Sequence, residues 1–353
     1  MKIWLAPMDW VTDCAYRIIC KEIFLRYQKP HESLMLWTEF MSADGYMHNP
    51  VWVVKHLLQT DYESELIAQI FWWNVETLVA CAQSLDQHYS FGWIELNMWC
   101  PSPKIMKCEA WSGMLKNKEK TLQILKQIAQ SITTPFSLKT RAWLTEADKE
   151  EQFAFLVEAS KYVWMIGVHW RTYKQSHSGE VDRPFIYKLK QACSDTVIIW
   201  NWWIRTYQDC ADRIGPLDGV MIAQAAIGNP RVLVETTPSV EERFAVIFRH
   251  LALAMAQEQY FKERALSTEK TGHTILIQPT LHQLENRADH IHAHPEKYDG
   301  YYTPREFRKY LFNYISGLEY NKEIKKRIPA AKEYAELRVL LEEFYGLITK
   351  SVS

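Results

Sequence analysis

A set of polar and reactive side chains in this 353-residue chain follows short apolar runs. The set contains one thiol, Cys100, one amine, Lys139, and one imidazole, His169. Because Lys139 ends an otherwise apolar run, its ammonium group needs an anionic partner if it is buried. The set therefore predicts a site for an anionic, phosphate-bearing cofactor. Its other members are Pro7, Met8, Asp9, Gln69, Asn97, Asn201, Ala223 and Gln224.

The apolar runs before these residues have the length and composition of buried strands. They cover residues 2–6, 34–38, 65–70, 93–97, 135–140, 165–169, 197–200 and 219–222. Amphipathic stretches predict helices between most of them, at 74–87, 120–131, 150–160, 183–193 and 206–214. Eight alternating units predict a closed (β/α)₈ barrel rather than an open doubly wound sheet. In that fold the carboxyl ends of the strands form the active site, and the loops after strands seven and eight usually hold phosphate.

The strand pattern stops near Ser239, and the remaining segments predict helices at 241–264, 304–317 and 328–344. We therefore expect two domains, a catalytic barrel at 1–238 and a smaller, all-helical domain at 239–353.

Composition excludes several classes of protein. With 41 basic and 42 acidic residues, the chain has no overall charge that would attract nucleic acid or membrane, so such binding needs a local patch. No apolar run reaches the roughly 18 residues of a membrane span, and we expect no secretory signal. Seven cysteines without a C-x-x-C pair indicate free thiols in a reducing, cytoplasmic environment. The other histidines, His56 among them, show no metal-ligand spacing, so we expect surface or loop positions and no metal site.

Four stretches resemble the tRNA-dihydrouridine synthase family. They are LAPMDWVTD at 5–13, ELNMWCPSPKIMKCEAWSGMLK at 95–116, VHWRT at 168–172 and MIAQAAIGNP at 221–230. The similarity runs in register to about residue 235 and continues more weakly through 305–317, which is similar to the helical tRNA-binding domain of the family. The resemblance implies a (β/α)₈ enzyme that uses FMN and NADPH to reduce a uridine of tRNA to 5,6-dihydrouridine. It implies tRNA as the partner and no stable protein partner.

The resemblance also assigns roles to residues. Cys100 matches the general acid that protonates C5 of the uracil while reduced FMN delivers hydride to C6. A thiol suits that role because, with a pKa of roughly 8.5, it is mostly protonated at neutral pH yet can release its proton. Asn97 matches a position near the substrate base, and Arg171 is a candidate for contact with phosphate or RNA. The matches to FMN positions are Pro7, Met8, Asp9, Gln69, Lys139, His169, Asn201, Trp202, Trp203, Ala223 and Gln224.

A local basic patch could contact the RNA. Residues 301–333 hold eight basic and four acidic side chains, a net charge of +4, and phosphate contacts made by such a patch weaken steeply with salt. The candidates are Arg305, Arg308 and Lys309. Interleaved aromatic residues could stack on exposed bases; the alternative is an aromatic core stripe beneath a solvated helix face. They are Tyr301, Tyr302, Phe307, Tyr310 and Tyr314.

Tryptophan stands where the family has glycine at many positions. The chain has 15 Trp and only 12 Gly, and all the Trp lie between Trp4 and Trp203. The substituted positions are Trp10, Trp72, Trp73, Trp99, Trp111, Trp170, Trp200 and Trp202. One hypothesis is that the gene uses UGA as a glycine codon and that the written sequence translates it as Trp. Ala223-Gln224 replaces the usual Gly-Arg of the family, which that hypothesis does not explain.

Two other functions remain open. The same fold could serve an FMN-dependent reductase of a free pyrimidine or enone, which would not need tRNA. If the indoles are genuine and fill the flavin pocket, the chain would instead be a catalytically inactive RNA-binding protein.

Overall fold

A closed barrel of parallel strands occupies the first 222 residues, and a mainly helical region follows. The computed structural model describes residues 1–98, 114, 117–141, 146–169, 182–201, 203–263, 266–268 and 274–352. The strands β1 to β9 are Lys2–Leu5, Ser33–Met35, Met41–Ser42, Ile67–Phe71, Trp93–Asn97, Phe136–Arg141, Met165–His169, Val197–Asn201 and Gly219–Ile222.

The nine strands form one sheet in the order β2-β1-β9-β8-β7-β6-β5-β4-β3, and each neighbouring pair is parallel. Just beyond β2, Trp37 forms a parallel bridge with Ile67 of β4. The backbone N–H of Thr38 also donates to the carbonyl of Ile67 at 2.9 Å. This pairing closes the sheet, with β3 as a short extra strand beside β4. The predicted (β/α)₈ barrel is confirmed.

Helices connect the strands on the outside of the barrel. Short polar side chains begin several of them: Asn74 accepts the N–H of Thr77 at 2.8 Å, and Asp182 accepts that of Phe185 at 3.0 Å. The sequence predicts five of these helices but not Cys14–Tyr27 or Ala43–His48. The predicted five are Val75–His88, Lys118–Ser131, Lys149–Ala159, Arg183–Ala192 and Tyr207–Ile214.

Large apolar side chains fill the barrel. Trp4 and Trp37, both at most 1% exposed, pack edge to face with ring centroids 6.0 Å apart. They form a cluster with inward-facing residues from other strands, among them Ile67, Met165 and Ile199. These contacts form one layer of a barrel core.

The cysteines that the structure describes are free and buried. Burial raises the pKa of each of their thiols, which keeps them protonated at neutral pH. They are Cys14, Cys20, Cys81, Cys193 and Cys210.

The region after Ser239 is helical apart from one short ribbon. Its helices are Val240–Lys262, Leu281–Ala293, Thr303–Glu306, Arg308–Tyr314, Asn321–Arg327 and Tyr334–Val352. The sequence predicts only helices here, but β10 (Leu266–Thr268) and β11 (Thr274–Leu276) pair antiparallel. The first long helix packs against both Cys14–Tyr27 of the barrel and Leu281–Ala293. The domain boundary after residue 238 stays a prediction. Among the described residues, no helix has the length and hydropathy needed to cross a bilayer.

Candidate active site at the carboxyl ends of the barrel strands

Five of the predicted site residues face the inside of the barrel at one end. Successive residues of a strand alternate between faces, so Gln69 and Asn201 share the inward face with Ile67 and Ile199 of the core cluster. The strand register places the remaining three beside them, because Asn97 pairs with Lys139, Lys139 with Gly167, and His169 with Asn201. The structure therefore brings the amides, the amine and the imidazole together.

These groups are largely removed from solvent. Gln69 is fully buried, and Asn97 and Asn201 are 5% and 6% exposed. Lys139, on β6, is 9% exposed. A buried set of hydrogen-bonding groups on rigid strands is suited to recognising a polar ring system in one orientation.

A buried carboxylate lies directly beneath this set. Glu95, in the middle of β5, is completely buried, and its Oε1 accepts from Gln69 Nε2 at 2.6 Å and from Trp37 Nε1 at 2.8 Å. Gln69 Oε1 in turn accepts from Asn97 Nδ2 at 2.9 Å. Burial raises the pKa of Glu95 to about 7, while the Gln69 hydrogen bond and the Lys139 charge lower it. Glu95 is absent from the residues predicted for the site, although a carboxylate inside the apolar run IELN was a usable signal.

The loop after β1 carries Pro7, Met8 and Asp9, all partly buried at the barrel end. The carbonyl of Met8 accepts the N–H groups of Val11 and Thr12 at 3.1 and 3.0 Å, which closes a tight turn. Trp10 lies inside that turn with φ of 61° and is 49% exposed. A bulky residue rarely adopts positive φ, whereas glycine does so readily. The backbone here therefore has the conformation expected of the family's glycine.

Asp9 lies beside a pair formed by Glu39 and His56. His56 Nδ1 lies 3.1 Å from Glu39 Oε2, and both side chains are mostly buried, so the surface or loop position expected for His56 is wrong. The ligand-type atoms of the three residues lie within 4.8 Å of one another. Burial and the Glu39 charge raise the pKa of Asp9. Burial opposes ionisation of Glu39 as well, but the hydrogen bond and charge of His56 lower its pKa. No sequence pattern marks this cluster, because its members come from three separate segments.

A buried ion pair supports the same loop from behind. Arg17 Nε lies 2.6 Å from Glu63 Oε1, and the two side chains are 1% and 0% exposed. Arg17 also donates to the carbonyl oxygens of Thr12 at 2.7 Å and of Leu58 at 2.5 Å. One guanidinium thus joins the end of the β1 loop to the segment before β4.

The loops after β8 and β9 occupy the expected phosphate position of the barrel. Trp203 has φ of 56°, is 41% exposed and lies under the Arg205 guanidinium, 4.4 Å from its ring centroid. Its positive φ marks a second position suited to glycine, one that the resemblance to the family does not single out. Ala223 begins a short 3₁₀ turn after β9, and Gln224 is exposed. Trp202 lies outside the described residues.

The predicted RNA-binding cations have partners within the protein. Arg305 lies 3.6 Å from Glu333, and Arg308 donates to the carbonyl of Ala331 at 3.0 Å. Lys309 lies over the Tyr310 ring, 4.9 Å from its centroid, and its charge acts on Asp13 of the barrel. Of the three cations, only Arg305 is exposed.

The hypothesis that all five interleaved aromatic residues stack on bases is wrong. Phe307, Tyr310 and Tyr314 are at most 4% exposed and surround the buried imidazole of His250. They form the core stripe that was the alternative. Tyr302, at 57% exposed, stays accessible.

A cleft of about 950 Å³ opens between the β9 loop and the helical region. Arg205, Arg231 and Arg243 line it, together with the amides of Gln224 and Asn313.

Two other predicted site residues, Cys100 and Arg171, lie outside the described residues.

Comparison with known proteins identifies the family. The model of the dihydrouridine synthase (Dus) family matches residues 4–345. A probable tRNA-dihydrouridine synthase from Aquifex aeolicus is 24% identical over 83% of this chain and 92% of its own length. A tRNA-dihydrouridine synthase B from Pasteurella multocida is 24% identical over 98% of this chain and 93% of its own length. A tRNA-dihydrouridine synthase B from Xanthomonas axonopodis is 28% identical over 66% of this chain and 68% of its own length. The chain belongs to the dihydrouridine synthase family.

Proposed function

We propose that this protein reduces a uridine of tRNA to 5,6-dihydrouridine, with FMN as its cofactor and NADPH as the electron source, in the cytoplasm. The observation that carries the proposal is the inward-facing set of buried amides, buried amine and partly buried imidazole at the strand ends of a dihydrouridine synthase family member.

The chemistry of that set fits a flavin. Side-chain amides offer both donors and acceptors, as the pyrimidine edge of a flavin ring requires. The Lys139 ammonium group supplies positive charge in a poorly solvated position, where it would stabilise the negative charge of a reduced ring. The loops around Trp203 and Ala223 are the candidates for the phosphate end. When bound, FMN would supply the hydride for C6 of the uracil.

Cys100 is proposed as the acid for C5. It follows Asn97 by three residues in the sequence, so the end of β5 leads directly from an amide that can hold the base to the thiol. The described thiols are poor competitors for this role because each is buried within the core.

The cleft beside the β9 loop is proposed to hold the tRNA backbone. Arg205, which is exposed, is its candidate for a phosphate contact. Arg231 is 8% exposed and pairs with Glu242, and Arg243 donates to two backbone carbonyl oxygens. Arg305, exposed in the helical region, is a separate candidate for a phosphate contact.

The test combines flavin content with tRNA reduction. The purified protein should show flavin absorbance and form dihydrouridine in tRNA, with activity that falls as salt rises. Cys100→Ala should retain FMN and lose roughly 100-fold or more of its activity. Cys193→Ala, at a buried thiol outside the barrel interior, is the matched control and should remain active.

Other outcomes would reject the proposal. Unchanged activity of Cys100→Ala would remove Cys100 as the acid. Turnover of free pyrimidines or enones without tRNA and without salt dependence would indicate the free-substrate reductase. A colourless protein that binds tRNA would indicate the inactive RNA-binding protein.

A further inference from the structure

Glu95 is a buried carboxylate to which the proposed chemistry assigns no part. It has no exposed surface and lies on the inward face of β5, between the apolar core layer and the residues of the candidate site. A buried carboxylate is costly unless donors satisfy it. Here Trp37, Gln69 and Ser137 donate to it, from the chain beyond β2, from β4 and from β6.

The donor from β4 is itself a candidate cofactor ligand. Gln69 donates from Nε2 to Glu95 Oε1 at 2.6 Å and accepts at Oε1 from Asn97 Nδ2 at 2.9 Å. Turning the Gln69 amide by 180° would place two acceptors together at Glu95 and two donors together at Asn97. Trp37 Nε1 can only donate, so the Oε1 that it shares with Gln69 must accept, whichever protonation state Glu95 has. Oε1 therefore selects one of the two amide orientations of Gln69, and that orientation presents the Gln69 oxygen to Asn97 Nδ2.

We propose that Glu95 is a positioning residue that holds Gln69, and through it Asn97, in the single orientation used to recognise the flavin and the uracil. This inference rests on the proposed function, because Gln69 and Asn97 are ligands only if the site binds those rings. Glu95 itself touches neither ring. Its part is to supply an acceptor in a fixed place on a rigid strand.

Substitutions at Glu95 can separate the effect of losing its hydrogen-bond acceptor from the effect of changing its side-chain volume. Glu95→Gln keeps an oxygen that Gln69 and Trp37 can share, while its amide can donate to Ser137. Glu95→Leu fills similar space and accepts nothing. Trp37→Phe is the matched control, because it removes a donor to the same Oε1 and leaves the Gln69–Asn97 contact intact.

Two readouts are needed for each purified variant. One is FMN affinity, measured from the flavin fluorescence released when the holoprotein is diluted. The other is a crystal structure, which reports the Gln69 side chain directly. Glu95→Leu should turn Gln69 away and weaken FMN binding by about tenfold, the equivalent of one good hydrogen bond. Glu95→Gln and Trp37→Phe should stay within about threefold of the parent, even where Trp37→Phe lowers the melting temperature.

The possible results separate a positioning role from a purely structural one. Gln69 unmoved in Glu95→Leu would overturn the positioning role, whatever the cofactor does. Gln69 displaced with FMN affinity unchanged would uphold positioning but reject Gln69 as a flavin ligand, and with it that part of the proposed function. Glu95→Met provides a second variant without an acceptor. If neither Leu nor Met folds while Gln does, Glu95 is a structural residue and the inference fails.

Discussion

The ion pair between Arg17 and Glu63 offers the sharpest test of how the barrel supports its active-site loop. Both side chains are essentially fully buried, and Nε lies 2.6 Å from Oε1. Glu63 Oε2 also accepts from the Thr60 N–H at 3.1 Å and the Cys14 thiol at 3.3 Å. The substitution Glu63→Gln preserves the shape of the side chain and removes its charge, which leaves the guanidinium without a counter-ion in the core.

Breaking one partner of a buried ion pair costs about 3–5 kcal/mol of unfolding free energy, since an uncompensated charge remains in the interior. We expect a loss of that size for Glu63→Gln in urea unfolding. The control is Glu342→Gln, which breaks the Arg338–Glu342 pair on a helix surface, 21% and 50% exposed. Such exposed pairs contribute about 0.5 kcal/mol. The double variant Arg17→Met, Glu63→Leu should lose less than Glu63→Gln, because it leaves no charge unpaired. Equal losses in Glu63→Gln and Glu342→Gln would refute the reasoning.

Three further predictions concern charge and backbone conformation. Because the pKa of Glu95 rises from 4.5 to about 7 on folding, the folded state binds its proton more tightly, so stability should fall between pH 4.5 and 7 by up to about 3 kcal/mol. Glu95→Gln should remove that part of the pH dependence of urea unfolding; an unchanged slope would contradict the shift. Trp10→Gly and Trp203→Gly, at positive φ, should each stabilise the fold by about 0.5–1 kcal/mol. Trp52→Gly, exposed in a 3₁₀ helix without positive φ, should give no gain. Peptide mass spectrometry of the protein from its own cells should find glycine at residue 10 if UGA is a glycine codon; tryptophan there would end that hypothesis.

The strands and most of the site residues could be predicted because their signals are local. A run such as 197–200 is apolar throughout, as a strand buried on both faces must be, and Asn201 follows it directly. Knowing only that barrels place their sites at strand ends, one can name Gln69, Lys139 and His169. The contacts among them could not be predicted, because they depend on the register between strands. Gln69 contacts Glu95 because the register between β4 and β5 places these two residues side by side.

Elements that are buried on several sides escaped prediction. Nine of the 14 residues of the helix Cys14–Tyr27 are buried, Arg17 included, because it lies between the barrel and the helix Val240–Lys262. It therefore lacks the single apolar stripe from which a surface helix is recognised. The aromatic residues near 310 posed the opposite difficulty. Their spacing suits a base-stacking surface and an aromatic core equally. The sequence does not show that they pack around His250, which places them in the core.

The burial of the described thiols makes the native protein a selective substrate for chemical labelling. The thiolate is the nucleophile that attacks an alkylating reagent, so protonated and inaccessible cysteines react slowly. Five of the seven cysteines are shielded in this way, so rapid alkylation of the folded protein would report on the other two, Cys100 and Cys108, which lie outside the described residues. The number of equivalents taken up would show how many of these two thiols a reagent reaches. Protection by tRNA would test the proposed role of Cys100 without any substitution in the chain.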